Sequence, residues 1–265
     1  MNVMLVSVGA LVCYLTGLLG QFACIRGKLP ARRAQVLGFT ASGAIFHTVA
    51  LFCAIHTQQG INLGVMNIAS LTTLMVTLVV LLSSLRKPAE SLLLFILPFT
   101  MLAFVFAWLS PVHSVIWRPP PAMVVHVLIS VLAYGLLMVA AFQSLLLSYQ
   151  EYQLRNHRQK RTLQALPSLQ TMERLMFEFL LVGVIFLTLS LLSGFLFFED
   201  MFGQQLVHKM VFSLVAWCVF TGLLLGHRLW GWRGLTAMRW ILAGFLLLIL
   251  SYFGWRLAVN ILAVK

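Results

Sequence analysis

Charge is the scarcest property of this 265-residue sequence. Only 9% of its residues are Asp, Glu, Lys or Arg, whereas 61% are apolar, and the mean hydropathy is +0.99. Because a soluble domain keeps about a quarter of its residues charged, lipid must replace water around most of this surface. At about 20 apolar residues for each membrane crossing, the chain has room for about seven to nine crossings and for no separate soluble domain.

Cysteine motifs are missing as well. The sequence has no C-x-x-C and no C-x-x-C-H, and Cys13, Cys24, Cys53 and Cys218 all lie within apolar stretches. The lack of these motifs argues against a thiol–disulfide carrier and against a covalently attached c-type haem. The four thiols are therefore predicted to serve as small core hydrophobes.

The excess of basic residues is an orientation signal. The formal net charge is +12, and fourteen of the eighteen bases fall in four clusters that alternate with connections of low charge. The clusters are Arg26, Lys28, Arg32 and Arg33; Arg86 and Lys87; Arg155, Arg158, Lys160, Arg161 and Arg174; and Arg228, Arg233 and Arg239. This alternation is the positive-inside pattern of inner-membrane proteins, so we expect the clusters to face the cytosol. We therefore expect membrane lipid, and no nucleic acid, as a partner.

The apolar runs predict an all-α fold, a polytopic membrane bundle of about eight transmembrane helices in a single domain, residues 1–265. Arg26 and Lys28 follow the first apolar run, which reverses the order of a cleaved signal peptide. We therefore expect an outer N-terminus and, with an even number of spans, an outer C-terminus. Prolines 119–121 cannot continue a helix and mark the entry to the fifth span. The predicted spans are 2–25, 35–56, 65–85, 89–109, 121–149, 175–198, 207–227 and 240–260. A basic cytosolic loop follows at 150–172, and the fifth span is expected to extend into it as a polar helix.

Two histidines are predicted at the same membrane depth. An ionisable residue at the bilayer centre costs about 2.5–3.5 kcal/mol, so each is a functional candidate. His47 lies about 21 Å beyond Arg33, and His126 lies about 9 Å inside the outer prolines. In a core about 30 Å thick these depths coincide, and two neutral imidazoles can then ligate one iron ion. The alternative is that each histidine hydrogen-bonds to a serine or a carbonyl on a neighbouring helix.

Two further histidines bracket the seventh span. His208 and His227 are 19 residues apart, or about 28 Å along a helix, so they cannot share a ligand. His208 is expected at the outer face and His227 at the cytosolic face. Trp230 and Trp232, which follow His227, are predicted to be interfacial anchors.

Four bases break the positive-inside pattern. They are Arg118, Lys209, Arg256 and Lys265. Guanidinium groups bind carboxylates through two parallel hydrogen bonds, so a haem with its propionates directed outward would suit both Arg118 and Arg256 and the histidines. Snorkelling of Arg256 to the interface, or neutralisation by Glu199 and Asp200, is the alternative.

The second half of the chain resembles the CcsA/CcmC-type cytochrome c assembly proteins. In that family a histidine starts an apolar span that ends in Ser/Ala-Tyr-Ala-like residues, and here the stretch 125–137 carries His126 and ends in Ala-Tyr-Gly-Leu-Leu. The later stretches that resemble the family are 183–194, 208–217 and 251–254. The number of spans, His47 in span two and Gly-Trp-Arg-Gly at 231–234 indicate the HemX/YpjD-like inner-membrane branch.

The resemblance implies a haem-handling membrane protein. In it, His126 corresponds to an outer-side haem-ligand histidine and His227 to a histidine that binds haem within the membrane. At residues 197–202 the chain departs from the family, which has a tryptophan-rich haem-presenting loop there, and its last span lacks a second outer histidine. The family would pair His227 with a histidine in an early span. Helix lengths separate His47 from His227 by about 15 Å, so the residues themselves favour His47 with His126.

Three functions follow from these observations. The first is a membrane protein that binds haem b through histidines and acts in haem handling or cytochrome c assembly, with an assembly protein or another membrane protein as partner. The second, also derived from the resemblance, is an accessory or regulatory protein of tetrapyrrole synthesis or metal-ion homeostasis that does not require haem. The third is a small-molecule transporter, which is disfavoured because no pair of Gly/Pro-broken helices is found. Enzymatic chemistry finds no support, since no nucleophile–base pair and no pair of acids falls in one predicted layer.

Overall fold

The computed structural model consists mainly of long apolar helices. It describes residues 3–25, 33–57, 60–62, 64–109, 120–156, 167–197 and 204–262. Within these residues, eight helices are long and apolar enough to cross a membrane, which confirms the predicted all-α membrane fold. They are α1 Val3–Ile25, α2 Arg33–Ile55, α3 Val65–Arg86, α4 Leu93–Leu109, α5 Pro121–Arg155, α6 Leu169–Phe197, α7 Gln204–Trp230 and α8 Gly234–Leu262.

Short elements connect some of these helices. A two-residue strand β1, His56–Thr57, pairs antiparallel with β2, Gly60–Ile61, between α2 and α3. A single turn of 3-10 helix, Glu90–Leu92, leads into α4. These connections are tight, so the helices that they join are neighbours.

The boundaries of α5 follow directly from its sequence. Pro121 is its first residue, where the fixed backbone angle of proline suits a helix and its missing N–H costs nothing. The helix continues for 35 residues to Arg155, about 52 Å, whereas the hydrocarbon core is about 30 Å thick. Its last turns carry Gln150, Glu151 and Gln153, so the end of α5 is polar.

The helices form two compact units. In the first unit, α1 packs along α2, and α3 packs along α4. In the second unit, α5 packs along α6, α7 packs along α8, and α5 also contacts α8. We call the end of the second unit where α5 and α7 begin its outer end, after the predicted topology, and the opposite end its inner end.

Glycines allow α1 and α2 to approach closely in the first unit. A Cβ atom on Gly17 would lie 2.7 Å from the hydroxyl oxygen of Thr40, and one on Gly43 would lie 2.7 Å from the Tyr14 ring. Both distances are well below van der Waals contact. Close approach of backbones at small residues is a main source of helix association in membranes, where lipid removes the hydrophobic driving force.

Arg33 fastens the start of α2 to the connection between α3 and α4. Its guanidinium donates hydrogen bonds to the backbone carbonyl oxygens of Ser84 and, at 3.1 Å, Lys87. Its Nε also lies 3.5 Å from the carboxylate of Glu90. Carbonyls at a helix C-terminus have no partner within the helix, so Arg33 supplies hydrogen-bond donors that α3 itself lacks there.

Replacing Arg33 with methionine is therefore expected to lower the free energy of unfolding by about 1–2 kcal/mol, since charged hydrogen bonds to exposed carbonyls are lost. Equilibrium unfolding in mixed detergent and SDS, followed by circular dichroism, measures the change. Arg174→Met is the matched control. Arg174 contacts Glu178 at 3.1 Å on an exposed helix surface, and we expect a change of about 0.5 kcal/mol or less. Equal losses in the two variants would contradict the role of Arg33.

Candidate functional site

His47 is the polar centre of the first unit. Its side chain is fully buried, and the ring nitrogens lie 3.2 Å from the hydroxyl of Tyr14 on α1 and 2.8 Å from that of Ser70 on α3. The ring of Phe104 on α4 packs against it, with ring centroids 4.3 Å apart. All four described helices of this unit therefore meet at His47. A neutral imidazole has one donor and one acceptor nitrogen, so both are already used by hydroxyl groups.

His126 lies in the second turn of α5 and is held against α6. Its Nδ1 is 2.8 Å from the hydroxyl oxygen of Ser193, and its ring is half-buried. The ring also lies close to Gly194, where a Cβ atom would come within 3.3 Å of Cε1. One turn further along α5, the hydroxyl of Ser130 lies 2.7 Å from that of Ser190 and donates to the carbonyl of His126 at 2.7 Å. The His126 face of α5 is thus bound to α6 at two successive turns.

The same face of α5 continues into a chain of hydroxyl contacts. Tyr134 lies two turns beyond His126, and its hydroxyl is 3.5 Å from that of Ser213 on α7. Ser213 is 2.8 Å from Ser251 on α8, and the Ser251 hydroxyl donates to the carbonyl of Lys209 at 2.8 Å. Uncharged hydroxyl groups therefore connect α5, α7 and α8 within the second unit.

The structure brings His126 and His208 to the same end of the second unit. His208 lies on α7, five residues before Ser213, which is about 8 Å along the helix. His126 lies eight residues before Tyr134, which is about 12 Å along α5. Since Tyr134 and Ser213 are in contact, the two histidines differ by only about 4 Å in level.

His227 lies at the inner end of the second unit. Its Nδ1 is 2.9 Å from the carbonyl oxygen of Trp232. A carbonyl can only accept, so Nδ1 carries the proton and Nε2 is the basic nitrogen. The ring stacks on Phe177, with centroids 3.6 Å apart and planes at 18°. Phe177 and Ser193 are 16 residues apart on α6, about 24 Å, so His227 and His126 cannot share a ligand.

A backbone turn holds the partner of His227 in place. Gly231 has φ +67°, the left-handed conformation that commonly ends a helix, and its N–H donates to the carbonyl of His227 at 3.2 Å. The indole of Trp232 then folds back over Gly226, where a Cβ atom would lie 2.3 Å from the ring. Trp230 is 69% exposed, whereas Trp232 is half-buried against Gly226.

The remaining candidates are the pairing of His47 with His126 and the charged residues of the predicted outer face. His47 and His126 belong to different units, so their pairing at one iron stays a prediction. Arg256 lies on α8. The candidates outside the described residues are Arg118, Glu199, Asp200 and Lys265.

The hydrogen-bond partners are the residues that the sequence interpretation did not single out. The alternative to iron binding was a serine or a carbonyl partner for each histidine, and the structure identifies Ser70 for His47 and Ser193 for His126. The sequence does carry a signal for the polar face of α5 around His126. His126, Ser130 and Tyr134 repeat every four residues, which places them on one helix face.

Among the described residues, no group of three or more His, Cys, Asp or Glu side chains is positioned to hold a metal ion. A haem does not need such a group, because the porphyrin supplies four nitrogens and the protein adds one or two axial ligands.

Comparisons with known proteins show which family the chain resembles. The sequence profile described as Cytochrome C assembly protein matches residues 36–263. The chain is 32% identical to Inner membrane protein YpjD of Escherichia coli K12 over 222 residues, which cover 83% of this chain and 84% of that protein. It is 31% identical over 187 residues to an uncharacterised 28.8 kDa protein of Azospirillum brasilense, covering 68% and 69% of the two chains. No solved structure matches it.

The family match covers most of the chain and all but the first of the eight membrane-spanning helices. The relative in Escherichia coli is an inner-membrane protein of similar length, and this chain is likewise a multi-pass inner-membrane protein. The predicted resemblance to this family and to its YpjD-like branch is confirmed. The chain therefore belongs to the cytochrome c assembly protein family.

Proposed function

We propose that this protein handles haem in cytochrome c assembly and binds it at the outer end of the second unit, with His126 as an iron ligand. The observation that carries the proposal is the contact between His126 Nδ1 and Ser193 at 2.8 Å. Histidines that bind metals usually engage their other ring nitrogen in such a hydrogen bond, which fixes the ring and directs Nε2 to the metal. Ser193 is the positioning residue in this arrangement, and Gly194 leaves room for the ring beside α6.

His208 is the proposed second ligand. It belongs to the same unit as His126 and lies within about 4 Å of its level. His47, which membrane depth favours, is fully buried with both nitrogens in contact with hydroxyl groups. Iron binding by His47 would require it to give up Tyr14 or Ser70. The geometry of the separate units therefore supports His208 over His47 as the partner of His126.

Basic side chains at the predicted outer face complete the proposed site. Arg118 and Arg256 are proposed to bind the two propionates, because guanidinium groups form paired hydrogen bonds with carboxylates. This assignment rests on the predicted topology, with both termini outside. Because the sequence has no C-x-x-C-H motif, the haem is proposed to be held without a covalent bond, as haem b.

His227 is proposed as a separate site at the inner end. Its proton is fixed on Nδ1 by the Trp232 carbonyl, which leaves Nε2 as the ligand nitrogen. This is the tautomer and orientation that metal-bound histidines commonly show. The distance from His126 makes the two sites independent.

Absorbance of the purified full-length protein tests the proposed function. Expressed with ample haem supply and purified in mild detergent, the protein is expected to show a Soret band. Its haem should be extracted by acidified organic solvent, because no covalent bond holds it. A monodisperse, fully helical preparation without a Soret band, even after incubation with haemin, would rule out haem binding.

A further inference from the structure

A cleft opens at the inner end of the second unit, far from the histidine at the outer end. It has a volume of about 400 Å³ and lies where α5 ends and α6 and α8 begin. Its walls include Leu147, Leu169 and Leu235, and its polar groups include Glu151, Glu173 and Arg233. The site therefore combines an aliphatic surface with charged groups.

The charges in the cleft are not balanced. Arg233 is the cation, and its Nε lies 3.8 Å from the Glu173 carboxylate, too far for a hydrogen bond. That carboxylate oxygen is buried and has no hydrogen-bond partner among the described residues. Glu151 packs against the start of α8, where a Cβ atom on Gly234 would lie 3.2 Å from its Oε2. Two carboxylates thus face one guanidinium, in a chain with a net charge of +12.

A buried amide oxygen lies behind these groups. Gln143 is 2% exposed, and its Nε2 donates to the carbonyl of Met172 at 3.1 Å, directly before Glu173 in the chain. Its Oε1 is buried and has no partner within the described part of the chain. Gln143, Leu147 and Glu151 repeat every four residues and share one face of α5. Gln143 therefore lies one turn inward from Leu147, on the face of α5 that lines the cleft, and its amide oxygen lacks a donor among the described residues.

We infer that this cleft binds an aliphatic ammonium cation, a primary amine on a hydrocarbon stem. Its charge would balance the second carboxylate, its N–H groups would reach acceptor oxygens that now lack donors, and its stem would pack on the leucines. An anion is opposed by the two carboxylates. A metal ion lacks a third carboxylate, histidine or cysteine among the described residues. The same chemistry is offered by a free diamine and by a lysine side chain of another protein.

Calorimetric titration of the full-length protein in detergent tests this site, with 1,5-diaminopentane and Nα-acetyl-lysine amide as separate probes. Saturable binding is expected, and Glu151→Gln or Glu173→Gln should weaken it by about tenfold or more, since each removes a charge-assisted contact. Glu178→Gln is the matched control. It changes the net charge equally on the same helix, but Glu178 pairs with Arg174 and does not line the cleft.

Thr236→Lys gives an independent readout that keeps both carboxylates. Thr236 is exposed at the cleft, so a tethered ammonium there should occupy the site and abolish binding of both probes. Tighter binding of the diamine identifies a free amine as ligand, and tighter binding of capped lysine identifies a protein side chain. The inference is overturned by no saturable heat from either probe, by equal affinity in Thr236→Lys protein, or by displacement of the amines by magnesium chloride at equal concentration.

Discussion

His126→Ala protein is expected to purify with little haem. Loss of the hydrogen-bond partner of a metal-bound side chain lowers metal affinity by about 10- to 100-fold. Removal of the ligand itself should lower the affinity at least as much. Titration of apoprotein with haemin, followed at the Soret band, measures the affinity. Added imidazole should restore part of the absorbance, because it can occupy the space that the side chain leaves beside Ser193.

Three other histidine variants decide which residues share the iron. His208→Ala should weaken haem binding or change the spin state of the iron, whereas His47→Ala should leave the Soret band unchanged. His56→Ala is the control, because His56 is an exposed histidine that stacks on Phe52 at 4.1 Å. Loss of the band in His47→Ala, with no change in His208→Ala, would overturn the proposed pair and favour the pair predicted from membrane depth.

Gly43→Val is expected to give the largest loss of stability, about 2–4 kcal/mol. A Cβ atom at this position would lie 2.7 Å from Cδ1 and 2.9 Å from Cε1 of Tyr14, which is fully buried. Overpacking in a core costs about 1–3 kcal/mol. Displacement of Tyr14 also breaks its hydrogen bond to His47, which adds about 1 kcal/mol.

Gly38→Val on the same helix is the matched control for this substitution. A Cβ atom at Gly38 meets no atom within 4 Å, so the change should be about 0.5 kcal/mol or less, with the sign set by helix propensity. SDS-induced unfolding followed by circular dichroism measures both variants. Tyr14→Ala should partly rescue Gly43→Val in a double-mutant cycle, since it removes the ring that the new side chain meets. Additive losses would show that the two positions are not in contact.

Membrane thickness explains why the sequence predicts the helices so well. Each crossing needs an apolar run of nearly fixed length, and a proline such as Pro121 suits the first position of a helix. The positions of the eight helices and the start of α5 can therefore be predicted from the sequence. Depth was readable too, because rise per residue is constant.

Depth along the membrane normal does not determine which helices are neighbours. His47 and His126 were matched by their distance along the membrane normal, whereas the helices around each are selected by packing in the other two directions. That packing depends on close contacts such as Gly17 with Thr40 and Gly43 with Tyr14. Their effect cannot be read from hydropathy, because a glycine in an apolar run looks the same whether it faces lipid or another helix.

The hydroxyl contacts of α5 have a consequence for proton position. A serine hydroxyl has one proton to donate, and Ser193 and Ser130 donate theirs to the carbonyl oxygens of Ser190 and His126, at 2.9 and 2.7 Å. The Ser193 oxygen therefore accepts in its 2.8 Å contact with His126, so the proton of the neutral imidazole lies on Nδ1. Ser193 thus acts at His126 as the Trp232 carbonyl acts at His227, because each fixes the tautomer of a ring as well as its orientation.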